Sequence, residues 1–219
     1  MKKGLIMTEL LSGSPEPKTD RQAVKAHVAS KLHVLGAGVA SGTSTSKAHL
    51  ARLRRAVNEF PGSVPEVWGI TLGDLPSRLI GKSDAPSAGE TAVHNALALF
   101  AIQQQGKSEL MHRQGRGLGS AVRQYIMSKD PQKGFDEESP ILRRFNALST
   151  SDSVDELLWH LRGLITQLRG ESVHLDFMEL AANIHDFHYY DSRDKVRLNW
   201  GRQLYTAPRK TESDEVPLS

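Results

Sequence analysis

An all-α fold, arranged as helical bundles in two small subdomains with basic surface faces, is predicted by three features of the chain. Helix formers such as Ala, Leu, Arg and Gln are abundant, and aromatic residues make up only 6% of the 219 residues. Apolar residues recur at three- and four-residue spacing in segment after segment. Those segments open at capping residues and close at Gly or Pro. The pattern places a flexible leader over 1–19, an N-terminal bundle over 20–110, a C-terminal bundle over 111–206 and a flexible tail over 207–219. Such a length is ample to bury a core.

The first helix is expected over residues 20–35, with Asp20 as N-cap. The Gly/Ser-rich run 36–46 reads as a flexible loop; a dinucleotide-binding glycine loop would need a preceding strand, which is missing. A helix over 47–60 follows, with Leu50, Leu53, Val57 and Phe60 on one face and Arg52 and Arg55 pointing away from it. Arg54 takes the flank, where its stem can cover apolar surface. Pro61-Gly62 stops this helix, and the Pro/Gly-punctuated stretch to Pro86 holds Trp68, expected as a core anchor. Residues 90–105 are apolar nearly all round and should form the central buried helix, with His94 a satisfied core histidine.

In 111–119, Gly115, Gly117 and Gly119 beside Arg116 read as a turn, or as a place where backbone approaches phosphate. Ser139-Pro140 starts a helix with Ile141, Phe145 and Leu148 inward, Arg143 outward and Arg144 at the edge. Ser153 and Glu156 form a capping box for the most strongly patterned helix, which ends at Gly170. There Leu157, Leu158, Leu161, Leu164, Ile165 and Leu168 form a stripe bordered by Arg162 and Arg169. Trp159 lies opposite, as expected of a residue that meets another surface, protein or base. Asp176 with Glu179 caps a helix to about Phe187. Residues 191–205 fit both periodicities through Val196, Leu198, Trp200 and Leu204; with no partner strand, a helix is expected.

The absence of cysteine excludes disulfides, Cys-based zinc sites and thiol catalysis, and fits a reducing cytoplasm. The basic start Met1-Lys2-Lys3 leads into an apolar stretch broken by Thr8, Glu9 and Ser12, so neither a signal peptide nor a membrane span is expected. The formal net charge of +3 understates the clustering, since residues 21–60 hold seven basic groups against Glu59 alone. Arginine is the residue of choice for phosphate, and basic helix faces on one body make a track for a polyanion. The candidate nucleic-acid contacts are Arg52, Arg54, Arg55, Arg116, Arg143, Arg144, Arg162, Arg169, Arg197 and Arg202.

An enzyme reading rests on His185 and Asp186 with His174, Asp176, His188 and Asp191 nearby, residue types that hold divalent metal in phosphohydrolases. Their crowding into one helix and its ends argues against convergence on an ion. No glycine elbow around a serine, P-loop or His-Glu-x-x-His pattern is present. No catalytic residue, metal or cofactor is therefore expected. A scaffold whose basic faces meet only acidic protein partners is the other rival.

Six blocks carry a family resemblance: Ala48-His-Leu-Ala-Arg-Leu-Arg-Arg-Ala56, Glu90-Thr-Ala-Val-His-Asn-Ala-Leu-Ala-Leu-Phe-Ala101, Leu118-Gly-Ser-Ala-Val122, Arg143-Arg-Phe-Asn-Ala-Leu148, His160-Leu-Arg-Gly-Leu-Ile-Thr-Gln-Leu-Arg169 and Arg197-Leu-Asn-Trp-Gly-Arg-Gln-Leu-Tyr205. In order and content they resemble the CasB family, the small subunit of the type I-E CRISPR complex Cascade. The resemblance covers about residues 20–206. It implies a non-catalytic, all-α, two-bundle subunit present as two copies, with the CasA, CasC, CasD and CasE subunits, guide RNA and target DNA as partners. DNA cutting would then belong to a separate recruited helicase-nuclease. The arginines in the matched blocks, from Arg52 to Arg202, either touch DNA or bridge helices, and the motifs alone leave that choice open. With few exposed aromatics expected, charge rather than base stacking should do most of the holding.

Overall fold

A computed structural model of the protein describes residues 17–129 and 135–206. The leader, apart from 17–19, and the tail expected over 207–219 lie outside the described residues. Helices dominate: α1 (Asp20–Ala40), α2 (Ser44–Arg55), the short α3 (Trp68–Thr71), α4 (Ala88–Gln103), α5 (Leu118–Lys129), α6 (Pro140–Ser149), α7 (Val154–Gly170), α8 (Phe177–Phe187) and α9 (Tyr190–Tyr205). Among the described residues the extended pairing is a lone bridge between His112 and Leu175. The all-α expectation is met, and no described helix is long and apolar enough to cross a membrane.

Local chemistry explains most boundaries. The hydroxyl of Ser87 accepts from the Glu90 amide while the Glu90 carboxylate accepts from the Ser87 amide, a complete capping box for α4. The cap of α1 is Thr19 with Gln22, one residue before the expected Asp20. The helix then runs five residues further than expected, through Gly36 and Gly38 to Ala40, so most of the expected loop is helical. Proximity is the reason: a Cβ on Gly38 would stand 1.5 Å from the Ser46 hydroxyl, and one on Gly36 would press on Leu110. Only 41–43 turn the chain, with Gly42 at φ +64 and Thr43 capping α2.

The buried helix α4 sits at the centre, packed by α1, α2, α7 and α8. Every residue from Ala92 to Gln103 is buried. Phe100 meets Phe177 of α8 edge to face at 5.4 Å. The hydrophobic cluster runs unbroken from Ala23 to Leu204, and the α1–α8 and α4–α8 contacts cross the boundary expected near residue 110. Two side chains expected inside are outside. Phe60 is exposed because α2 ends at Arg55 and a tight turn over Ala56–Asn58 redirects the chain. Trp68 is 46% exposed, its Nε1 donating to the Gly62 carbonyl, while Val67, Leu75 and Leu79 of the same stretch are buried.

His27 and His94 are buried, and His112 and His188 half-buried. His94 is a core histidine as expected but only half satisfied: Nε2 lies 3.0 Å from the Ala56 carbonyl oxygen, and the buried Nδ1 meets no partner. Burial holds His27, His94, His112 and His188 below the ordinary value of 6.5. Groups so depressed bind protons more readily unfolded than folded. Their contribution is complete above about pH 6.5 and is lost as pH falls through the folded values. The melting temperature is therefore expected to fall steadily from about pH 7 to about pH 5, and a flat profile over that window would contradict the assignment.

Candidate nucleic-acid interface

Helix α6 starts at Pro140, where the missing N–H costs nothing, and buries Ile141, Leu142, Phe145 and Leu148. That spacing leaves Arg143 and Arg144 exposed one turn in. Helix α7 buries Leu157, Leu161, Leu164, Ile165 and Leu168, so Trp159, Arg162 and Thr166 face out. Packed together, α6 and α7 frame a groove of about 800 Å3 lined by Arg143, Arg144, Trp159, His160, Arg162, Gly163, Thr166 and Gln167, with Pro140 and Ala147. Arg143 Nη1 donates to the Glu138 carbonyl at 3.0 Å, which sets its direction. A Cβ on Gly163 would stand 3.0 Å from the Arg144 guanidinium, so glycine there lets the arginine lie against the α7 backbone.

A second basic centre forms where Arg54, in the last turn of α2, and Arg169, in the last turn of α7, come within electrostatic reach of each other. Arg54 is held below its ordinary value first by burial, then by repulsion from Arg169 and Arg55. Arg169 Nη1 donates to Gln105 Oε1 at 2.7 Å, and Arg54, Lys47 and Lys107 line a cavity of about 270 Å3 beside Gln104 and Gln105. Arg52 is half-buried and Arg55 exposed. Arg162 and Arg169 lie roughly 10 Å apart along α7 at ~1.5 Å rise per residue, so α7 links the groove to this centre.

The remaining candidates differ in role. Arg197 bridges helices: Nε donates to the Ser149 carbonyl at 2.7 Å, Nη2 to that of Ser151 at 2.8 Å and Nη1 to Asp194 Oδ1 at 2.9 Å. It also lies over the Phe187 ring. Arg202 is exposed on the last turn of α9. Arg116 is half-buried, in the glycine segment, whose amides are engaged internally. Gly115 (φ +80) donates to Asp176 Oδ2 and Gly119 to Gln203 Oε1. A Cβ on Gly119 would stand 2.1 Å from the Trp200 carbonyl oxygen, so these glycines serve the turn and the close approach of α5 to α9 rather than phosphate.

Charge pairing separates the basic groups. Of those in 21–60, Arg21 pairs with Glu179 and Asp186, Lys25 with Glu179, and Lys31 with Asp74. Burial alone raises Glu179 and Asp186, but hydrogen bonds and charge from Arg21, with Lys25 at Glu179 and His185 at Asp186, outweigh it and hold both carboxyls below their ordinary values. Among the described residues, Arg52, Arg54, Arg55, Arg116, Arg143, Arg144, Arg162, Arg169 and Arg202 form no ion pair. Sequence reading misses Lys47, Lys107 and Gly163; a glycine inside the leucine-patterned helix is the available signal for a close approach.

The residues of the enzyme reading are held elsewhere. Asp186 Oδ1 lies 3.0 Å from His185 Nδ1 and Oδ2 accepts from Arg21, while Asp176 Oδ1 caps α8 through the amides of Met178 and Glu179. His174 faces Glu109 at 3.7 Å. Among the described residues no three His, Asp or Glu side chains gather as a metal site.

Residues 49–205 match the profile of the family described as CRISPR-associated protein Cse2. CasB from Thermobifida fusca is similar at 29% identity and TM-score 0.69, covering 84% of this chain and 98% of its own. A Cse2-family CRISPR-associated protein from Thermus thermophilus shares the fold at 22% identity and TM-score 0.55, covering 82% and 98%. A chain of a CRISPR RNA-guided surveillance complex shares it at 18% identity and TM-score 0.61, covering 83% and 95%. No curated protein matches.

Proposed function

Since the chain belongs to the CRISPR-associated Cse2 family, the CasB family that its motifs resemble, we propose that it is a non-catalytic small subunit of a Cascade surveillance complex that holds opened target DNA by its phosphates. The observation that carries this reading is the convergence of Arg143, Arg144 and Arg162 on one groove, with no ion pair to any of them among the described residues. Arg52, Arg54, Arg55 and Arg169 extend the track, Arg116 and Arg202 are peripheral contacts, and Arg197 holds α9 against α6. The proposed partners are the CasA, CasC, CasD and CasE subunits, a second copy of this chain, guide RNA and both DNA strands.

Exchanging a DNA duplex for an RNA–DNA heteroduplex is nearly balanced in energy, so backbone contacts can tip it. Phosphate contacts supply affinity without reading sequence, which suits a subunit that must accept any target. Titration of the isolated protein with single- and double-stranded DNA is expected to show weak binding without sequence preference. Each neutralised phosphate should contribute about 0.7 to 0.9 to the slope of log affinity against log salt. Salt-independent affinity would instead favour a scaffold whose basic faces meet protein.

A further inference from the structure

Trp159 stands apart from the other tryptophans. Trp200 is fully buried and Trp68 is tied through Nε1 to the Gly62 carbonyl, whereas Trp159 is 73% exposed beside the α6–α7 groove. Its ring contact is the edge of neighbouring His160 at 4.8 Å. Gly163, four residues on and therefore on the same side of α7, adds no side chain next to the indole. Gln167, which also lines the groove, has a buried Oε1 that accepts no hydrogen bond.

We propose that this groove holds one unpaired nucleotide of a single strand, its base stacked on the Trp159 indole and its flanking phosphates on Arg143, Arg144 and Arg162. The proposal rests on the phosphate-binding reading above. The groove's ~800 Å3 lies within the ~300–1,000 Å3 of sites that enclose small organic groups. Its three arginines, none in an ion pair among the described residues, match the charge and planar geometry of phosphate and favour a phosphate-bearing occupant. A paired base has both faces covered by its neighbours, so only an unpaired one offers a face to the indole. DNA and RNA strands share this chemistry.

The test uses the full chain carrying Trp68→Phe, which leaves Trp159 as the exposed tryptophan reporter. Oligothymidylate, oligouridylate, an abasic strand of equal length and a mixed-sequence duplex are titrated at fixed salt. Both base-bearing single strands are expected to quench Trp159 fluorescence if the site takes either sugar, and only one if it distinguishes them. Trp159→Ala should weaken binding of the quenching strand about 5- to 150-fold, the range for loss of one base–aromatic stack, with the salt slope unchanged. Binding of the abasic strand and the duplex should not change, and Trp159→Phe should restore part of the loss. Salt-dependent binding that is indifferent to Trp159→Ala, or equal weakening of normal and abasic strands, would overturn the stacking site alone. Absence of binding to every probe at low salt would overturn the phosphate reading with it.

Discussion

Replacing Arg143, Arg144 and Arg162 together by alanine is expected to lower the affinity of the reconstituted complex for target DNA about 100-fold, while leaving assembly intact. Each exposed guanidinium–phosphate contact is worth about 1 kcal/mol, at the upper end for exposed ion pairs, and three such losses multiply to that factor. The slope of log affinity against log salt should become shallower by roughly 2 to 3. Arg143 and Arg144 are exposed on α6 and Arg162 on α7, so the change in folding stability should stay within about 0.5 kcal/mol per site. Affinity at two salt concentrations, set beside thermal melting, checks both halves. Wild-type affinity and slope in this variant would remove the groove from the DNA path and put the scaffold reading ahead.

Trp200→Ala acts through the opposite route. The indole is fully buried, stacked on Phe187 at 6.4 Å and tilted against Phe145 of α6 at 6.5 Å. Truncating a buried tryptophan removes both its transfer energy and its contacts, and about 3–5 kcal/mol of destabilisation is expected. Because Phe145 follows Arg144 directly, loosening this contact should also disorder the groove's α6 side. Denaturant titration should show the lost stability, and the yield of assembled complex should fall with it. A midpoint close to wild type would mean that the α5–α9 and α8–α9 packing does not depend on this side chain.

The helices are legible in the sequence wherever a local signal decides them. The apolar run of 90–105, Pro140 at the head of α6 and the leucine stripe of α7 each act within a few residues, and the helices expected from them are present. The Ser153–Glu156 box is half formed, the Glu156 carboxylate accepting from the Asp152 amide instead. Helix α9 follows even from an ambiguous pattern, because a strand without a partner is untenable. What stays illegible is set by residues distant in sequence. Gly36 and Gly38 look like loop residues until Leu110 and Ser46 occupy the space a side chain would fill. Trp68 has the size of an anchor, but in its stretch the buried positions go to the smaller Val67, Leu75 and Leu79. The basic cluster of 21–60 looks uniform, yet Arg21 and Lys25 are neutralised by acids more than 150 positions away. Arg197 carries the same family motif signal as its neighbours, and only the carbonyls it meets reveal its bridging role.

That Arg197 clamp also shapes the field of α6. A helix behaves as a dipole with roughly half a unit of positive charge at its first turn and half a unit of negative charge at its last. In α6 the negative pole, at Ser149 and Ser151, is covered by the guanidinium of Arg197, while the first turn holds no acidic residue and opens on the groove at Pro140. The helix thus presents its positive end to the groove with little opposing pull from its tail, the carboxylates of Asp136, Glu137 and Glu138 just before it being the nearest opposing charges in sequence. In the proposed phosphate track, the contribution of these peptide units is one that no side-chain replacement within the groove removes.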